Sequence, residues 1–221
     1  MPAPEVPGRR FSAPDKLLQA ATALFANQGF AKTSTREICL AAGVNVAAIH
    51  YHFGDKSGLY QAVLRQPIDK VVAQLQQFDD PTVGLEASLR RFLSAMLSPW
   101  TDDQADAKVM RLHQREMVDP TPEYKAMVAL AILPQHEALV KVLARHVGAP
   151  GPDDALRQLA FALVAMANDY AMSREFMEVL APSLVTGVGA RERVLNRLTG
   201  YALALVRHEM VCRVQQIKGA R

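Results

Sequence analysis

The stretch Thr33 to Tyr60, TSTREICLAAGVNVAAIHYHFGDKSGLY, constrains the fold of this chain more than any other. Ser34 followed by Glu37 is a capping box, so a helix is predicted to start at Thr35, with Ile38 and Ala41 facing a core. Gly43 interrupts that helix and can take a positive φ without steric cost, which a tight helix-to-helix turn needs. Asn45 is placed to cap a second short helix running through Tyr51. Gly54 ends it and Asp55 caps a third. Two short helices about a glycine turn make a helix-turn-helix, a shape that sets a helix into the major groove of DNA.

The run AGVNVAAIHYHFGDKSGLY resembles the TetR family of bacterial transcription regulators, through Ala42, Gly43, Val44, Ile49, Tyr51, Phe53, Lys56 and Leu59. The resemblance spans roughly Ser12 to Leu64. It implies an all-α fold of about nine helices: a three-helix N-terminal helix-turn-helix domain and a helical C-terminal ligand-binding and dimerisation domain. It also implies a homodimer that binds a palindromic operator in double-stranded DNA, a cytoplasmic location, and repression as the family default. Further along, RLHQREMVDPTPEY followed by a long proline-interrupted helix is similar to members with a CecR-like C-terminal domain. The N-x-A-A-I-x-Y-H-F-G-x-K pattern from Asn45 points the same way.

Within the motif, Asn45 and His50 are the polar candidates for base edges. Val46, Ala47 and Ala48 are apolar where relatives often carry Lys, Gly and Thr, which leaves methyl contact with thymine or groove shape as their means of readout. Thr35 stands at a helix N-terminus, where a hydroxyl and backbone N–H groups can hold a phosphate. Arg36, Tyr51 and Lys56 are further phosphate candidates by family match. His52 and Phe53 are expected to pack the motif together.

Charge is distributed in keeping with this. Residues 1–65 carry seven Lys and Arg against four Asp and Glu, whereas residues 66–221 carry eighteen of each, so the net +3 sits with the motif. An excess of three is small enough to arise by chance, and it serves as support only. The first residues, 1–11, are rich in Pro and Gly and are expected to be disordered; Arg9 and Arg10 there either remain solvated or reach a minor groove. The helix-turn-helix domain is expected over 12–66 and the C-terminal domain over 67–221.

The remaining helices follow from periodicity and breakers. A capping box at Ser12 and Asp15 opens a helix that Gly29 ends. The helix from Lys56 contains Pro67 and is expected to kink or break near Arg65 to Pro67. Pro81 is expected to open a fifth helix, followed by a sixth over Gln104 to Val118. A seventh runs from Glu123 to about Val147 and contains Pro134, which leaves the carbonyl of Leu130 without its usual donor. An eighth from about Asp153 is apolar on nearly every side and needs two partners, and a ninth spans roughly Ala190 to Gln216. Those last two suit a two-fold four-helix interface. No uncharged run is long enough to span a membrane.

A small-molecule effector is expected among helices five to eight, with Trp100, Met110, His113, Met117, Tyr124, Met127, Phe161, Met166 and Asp169 as candidate liners; most of these also suit an ordinary core. His113 and Glu116 share a helix face at i, i+3, but one pair is no metal site, and a satisfied histidine is the alternative. Cys39 and Cys212 have neither disulfide-framework nor zinc spacing. No nucleophile elbow or phosphate loop appears, so no enzyme and no cofactor are expected. The readings that stand are a ligand-released dimeric repressor and an architectural DNA-binding protein without an effector.

Overall fold

Side-chain caps mark several helix starts, at Ser12, Ser34, Asp55, Thr121 and Asp153, and the computed structural model, which describes residues 12–74, 80–97 and 104–219, shows them in place. The arm 1–11 and Trp100 lie outside the described residues. Twelve α-helices and no strand occur among the described residues. Those up to Gln66, with Ala107–Tyr124, form one compact unit; Pro67–Asp106 with the residues from Lys125 onward form a second.

The first unit begins with α1 (Ala13–Lys32), opened by the Ser12–Asp15 capping box and interrupted at Gly29, whose φ of 80° breaks the helix. Helix α2 (Thr35–Ala42) carries the Ser34–Glu37 box and ends on left-handed Gly43. Helix α3 (Ala47–Phe53) starts two residues later than expected from Asn45 and ends at Phe53 rather than Tyr51. The first part of α4 (Lys56–Gln74) completes the motif; Asp55 caps it by accepting from the Gly58 N–H at 2.8 Å. The helix does not break at Pro67, which lies buried within it.

Leu17, Phe25, Ile38, Ile49, Leu59 and Leu64 are fully buried in this unit. Each such side chain contributes about 1.5–3 kcal/mol relative to exposure. Ala41, expected inward, is exposed, and Cys39 is buried instead, its thiol pKa raised by desolvation. Phe25, Phe30 and Tyr60 form an aromatic trio, with Tyr60 4.8 Å from each of the other two rings.

Helix α6 (Gln104–Val118) enters this unit through a buried polar network. The Tyr60 hydroxyl donates to Glu116 Oε1 at 2.6 Å, and Thr121 donates to the same carboxylate from its N–H at 2.7 Å and from its hydroxyl. The ring of His113 bonds the Leu64 carbonyl through Nε2 at 2.8 Å. Burial lowers the His113 pKa, consistent with a neutral ring that donates this proton. At the start of α7 (Pro122–Met127), Ser57 donates to Glu123 at 2.9 Å.

In the second unit, α5 (Leu85–Met96) starts four residues after Pro81. Asp80 forms a local turn by accepting from both the N–H and the hydroxyl of Thr82, and Gly84 takes the cap position. The helix expected over 123–147 is divided. After α7, Val128–Ile132 winds as a π-helix, and α8 (Leu133–Val147) begins with Pro134 in its first turn. The wide turn, in which the Leu133 N–H reaches back five residues to the Val128 carbonyl, lies directly before the proline. By length and composition the run Pro122–Val147 is apolar enough to cross a membrane, but Glu137 and Lys141 interrupt it and Leu139, Val140 and Leu143 are core residues.

Helices α9 (Asp154–Met172) and α12 (Ala190–Gly219) complete this core with α5 and α8, through Leu156, Leu163, Leu195 and Leu198 among others. Two short helices, α10 (Arg174–Leu180) and α11 (Pro182–Val185), connect them and were not expected from periodicity. Asp153 caps α9 by accepting from the Leu156 N–H at 2.9 Å and holds Arg213 of α12 through two bonds of 2.8 and 2.9 Å. The Arg213 hydrogen bond, then that of Leu156, lowers the Asp153 pKa from 3.8 to about 2.

A depressed folded-state pKa stabilises above the unfolded value and is lost as pH falls toward the folded one. Asp153→Ala is therefore expected to cost about 1 kcal/mol at neutral pH, the worth of a missing cap. Its thermal midpoint should converge on that of the parent as pH falls from 3.8 toward about 2. A gap that persists at the acid end would show that the carboxylate is not its source.

Candidate nucleic-acid interface

Helix α3 is held from one side and open on the other. Ile49 is its single buried residue, while Asn45, Val46, Ala47, His50 and Tyr51 are exposed, Tyr51 by 84%. A helix anchored by one aliphatic residue leaves nearly its whole outer surface for a partner. His52, expected to pack inward, is also exposed and sits edge-on to Tyr51 at 4.8 Å.

Asn45 acts as a cap in a local sense. Its Oδ1 accepts from the Ala47 N–H at 3.0 Å across the turn, rather than from a residue one helical turn on. His50 Nδ1 lies 2.8 Å from the Gly54 carbonyl, where α3 ends. On α2, Arg36 is exposed and Thr35 half-buried, at the helix start. Leu40 is 84% exposed on the same helix, an apolar surface residue that its sequence pattern does not single out.

Lys56 has a different setting from the other phosphate candidates. Its ammonium donates to the carbonyls of Phe30 and Thr33 at 3.0 and 2.9 Å, and lies 4.3 Å from the centre of the Phe30 ring. Two of its three protons therefore tie α4 to the end of α1, with a cation–π interaction added.

Gly58, absent from the sequence-based candidates, is a close-packing position beside α3. A Cβ there would lie 2.0 Å from the carbonyl oxygen of Phe53, the last residue of α3. The glycine lets α4 start against the end of the outward-facing helix. A signal was available, since glycine within a helix costs roughly 1 kcal/mol and needs a packing reason.

The expected effector residues are divided between the two units. Met110 and Tyr124 are half-buried, His113 buried and Met117 exposed in the first unit; Met127 is buried, Met166 half-buried, and Phe161 and Asp169 exposed in the second. His113 meets Tyr124 with ring centres 5.7 Å apart. A depression of about 330 Å³ in the second unit is lined by Arg90, Arg91, Ser94, Glu192 and Leu195, none of them an expected liner. No group of three or more potential metal ligands occurs among the described residues. His113 and Glu116 are engaged with Leu64, Tyr60 and Thr121.

Comparison with known proteins matches residues 17–63 to the family of bacterial regulatory proteins of the tetR type, and residues 85–206 to the C-terminal domain of the HTH-type transcriptional dual regulator CecR. CecR of Shigella flexneri is 29% identical over 171 residues, which cover 72% of this chain and 76% of that protein. The HTH-type transcriptional repressor KstR2 of Mycolicibacterium smegmatis is 33% identical over 94 residues, 42% of this chain; the match spans less than half of that repressor, 46%. Among solved structures, AibR in complex with isovaleryl coenzyme A and operator DNA has a similar fold, with a TM-score of 0.59 at 18% identity, covering 86% of this chain and 97% of that one.

Proposed function

We propose, starting from the fact that the chain belongs to the TetR family of bacterial transcriptional regulators and carries a CecR-type C-terminal domain, that it is a dimeric repressor released from its operator by a small molecule. The observation that carries the DNA-binding half is the open face of α3 over a single buried anchor, Ile49, within the matched segment. Thr35, Arg36, Tyr51 and Lys56 are assigned to phosphates, and Asn45, Val46, Ala47 and His50 to base edges. The domain division proposed is an N-terminal DNA-binding part over 12–66 and an effector and dimerisation part over 67–221.

Exposed apolar residues support self-association through α9 and α12: Phe161 is 64% exposed on the first, Tyr201 51% and Leu205 36% on the second. A symmetric pair would present two α3 helices to major grooves one helical turn apart, about 34–36 Å. An effector that binds the released conformation better would shift the population away from DNA. By analogy with AibR, an acyl-coenzyme A thioester is a first candidate. The protein acts in the cytoplasm on this reading, with no catalytic step.

The reading is tested by binding to the DNA upstream of its own gene, with and without candidate effectors. Retention on that DNA whatever is added would favour an architectural role; no retention would sink the regulator reading. Arg36→Ala is expected to weaken all duplexes alike and to flatten the salt dependence by about 0.9 in log–log slope, the value for one phosphate no longer neutralised. Lys56→Ala should differ by also lowering the unfolding midpoint, because its ammonium binds two backbone carbonyls. A Lys56 variant with unchanged stability and a flattened slope would mean that its role is at the phosphate alone.

A further inference from the structure

Two hydrogen bonds beside the turn decide which atoms α3 offers to a groove. The backbone N–H of Ala47 can only donate, so the Asn45 atom facing it at 3.0 Å is the amide oxygen, and the NH₂ is the half left outward. The Gly54 carbonyl can only accept, so the His50 Nδ1 at 2.8 Å carries a proton. In the neutral ring Nε2 then holds a lone pair. His50 is exposed, and Nε2 has no partner among the described residues.

These commitments give the helix a polarity of readout. Asparagine recognises adenine in bidentate fashion by using oxygen and nitrogen together. With its oxygen turned to the Ala47 N–H, Asn45 presents its NH₂ as the outward half, a donor. An imidazole lone pair meets a phosphate oxygen unfavourably, acceptor against acceptor, and meets guanine N7 and O6 in the same way. The major-groove groups that complement it are the exocyclic amines, adenine N6 and cytosine N4.

We infer, on the DNA-binding reading above, that His50 is a specificity-determining residue that accepts a hydrogen bond from an adenine or cytosine amine in each half-site, while Asn45 donates to an acceptor edge. Val46 and Ala47, between them, contribute methyl surface without competing polar groups.

The test uses the full chain and a library of randomised duplexes. The parent should enrich sequences in which one position per half-site is A or C on the contacted strand, against G or T. His50→Ala should lose the preference at that position and keep the others. His50→Arg, a donor only, should move it to G. On an enriched duplex, replacing the contacted base with its amine-free analogue, purine for adenine or 2-pyrimidinone for cytosine, should weaken the parent roughly 5- to 150-fold. The same replacement should leave His50→Ala unaffected. An unchanged preference in His50→Ala, or indifference of the parent to removal of the amine, overturns the inference and leaves the DNA-binding reading standing. Failure of the parent to enrich any sequence overturns both.

Discussion

Alanine at position 58 is expected to impair both folding and sequence discrimination, although the change adds one methyl group. The added carbon would stand 2.0 Å from the Phe53 carbonyl oxygen and 3.2 Å from its carbon. Both obstacles are backbone, so no side-chain rotation relieves them. Either the end of α3 or the start of α4 must move. Overpacking of this kind costs about 1–3 kcal/mol, which urea denaturation resolves as a lower midpoint.

The effect on DNA follows from what moves. Phe53 closes the helix that carries His50 and Tyr51, and the His50 ring is tied to Gly54, the next residue. A shift of several tenths of an ångström there misplaces base-edge hydrogen bonds, each mismatch being worth about 1–3 kcal/mol. The expected signature is a collapse of the ratio between operator and random duplex, with binding to random duplex largely kept. Titration of the variant against both would show it. An alanine variant with the parent's midpoint and ratio would mean that the room existed after all.

Glu116→Ala is the second large effect. Glu116 is 3% exposed and Tyr60 2%, and the carboxylate collects the Tyr60 hydroxyl and two donors of Thr121. Removing the acceptor leaves these donors without partners. At about 1–3 kcal/mol for each unsatisfied buried group, the loss should be roughly 2–5 kcal/mol, a large share of a typical domain's 5–15. Tyr60→Phe removes one donor, leaves the Thr121 bonds intact, and should cost about 0.5–1.5 kcal/mol. A double-mutant cycle between the two, read by equilibrium unfolding, should show a coupling well above the few tenths found between independent sites. Strict additivity would argue that the hydroxyl and carboxylate do not share a proton in solution.

The local part of this structure was legible, and the distant part was not. Both capping boxes, Ser12–Asp15 and Ser34–Glu37, involve residues three apart and needed only the sequence. The same holds for left-handed Gly43 and for the helix start near Asp153. Boundaries failed where a side chain formed a tighter local turn: Asn45 reaches only to Ala47, which delays α3, and Asp80 reaches to Thr82, which delays α5.

Interactions across long separations could not be read. Glu116 and His113 were visible as neighbours on one helix face, but no local pattern revealed that Glu116 is held by Tyr60, 56 positions away. Lys56 was recognisable as a cation in the right place, but nothing local announced that the carbonyls of Phe30 and Thr33 receive it. The base-edge candidates Asn45 and His50 were visible as residue types; the hydrogen bonds that give each a donor or acceptor character came only with coordinates.

The wide turn at Val128–Ile132 has a consequence for phase. Met127, Ala131, Leu139 and Leu143 are all buried, at separations that are multiples of four. On a helix of 3.6 residues per turn such a stripe drifts about 40° with every fourth residue. A stretch with more residues per turn retards that drift, as a vernier does, and keeps the late members of the stripe pointing where the early ones point. The winding between Met127 and Leu133 thus sets the phase: the same five residues wound as plain α-helix would rotate Leu139, Val140 and Leu143 by roughly a quarter-turn away from their neighbours.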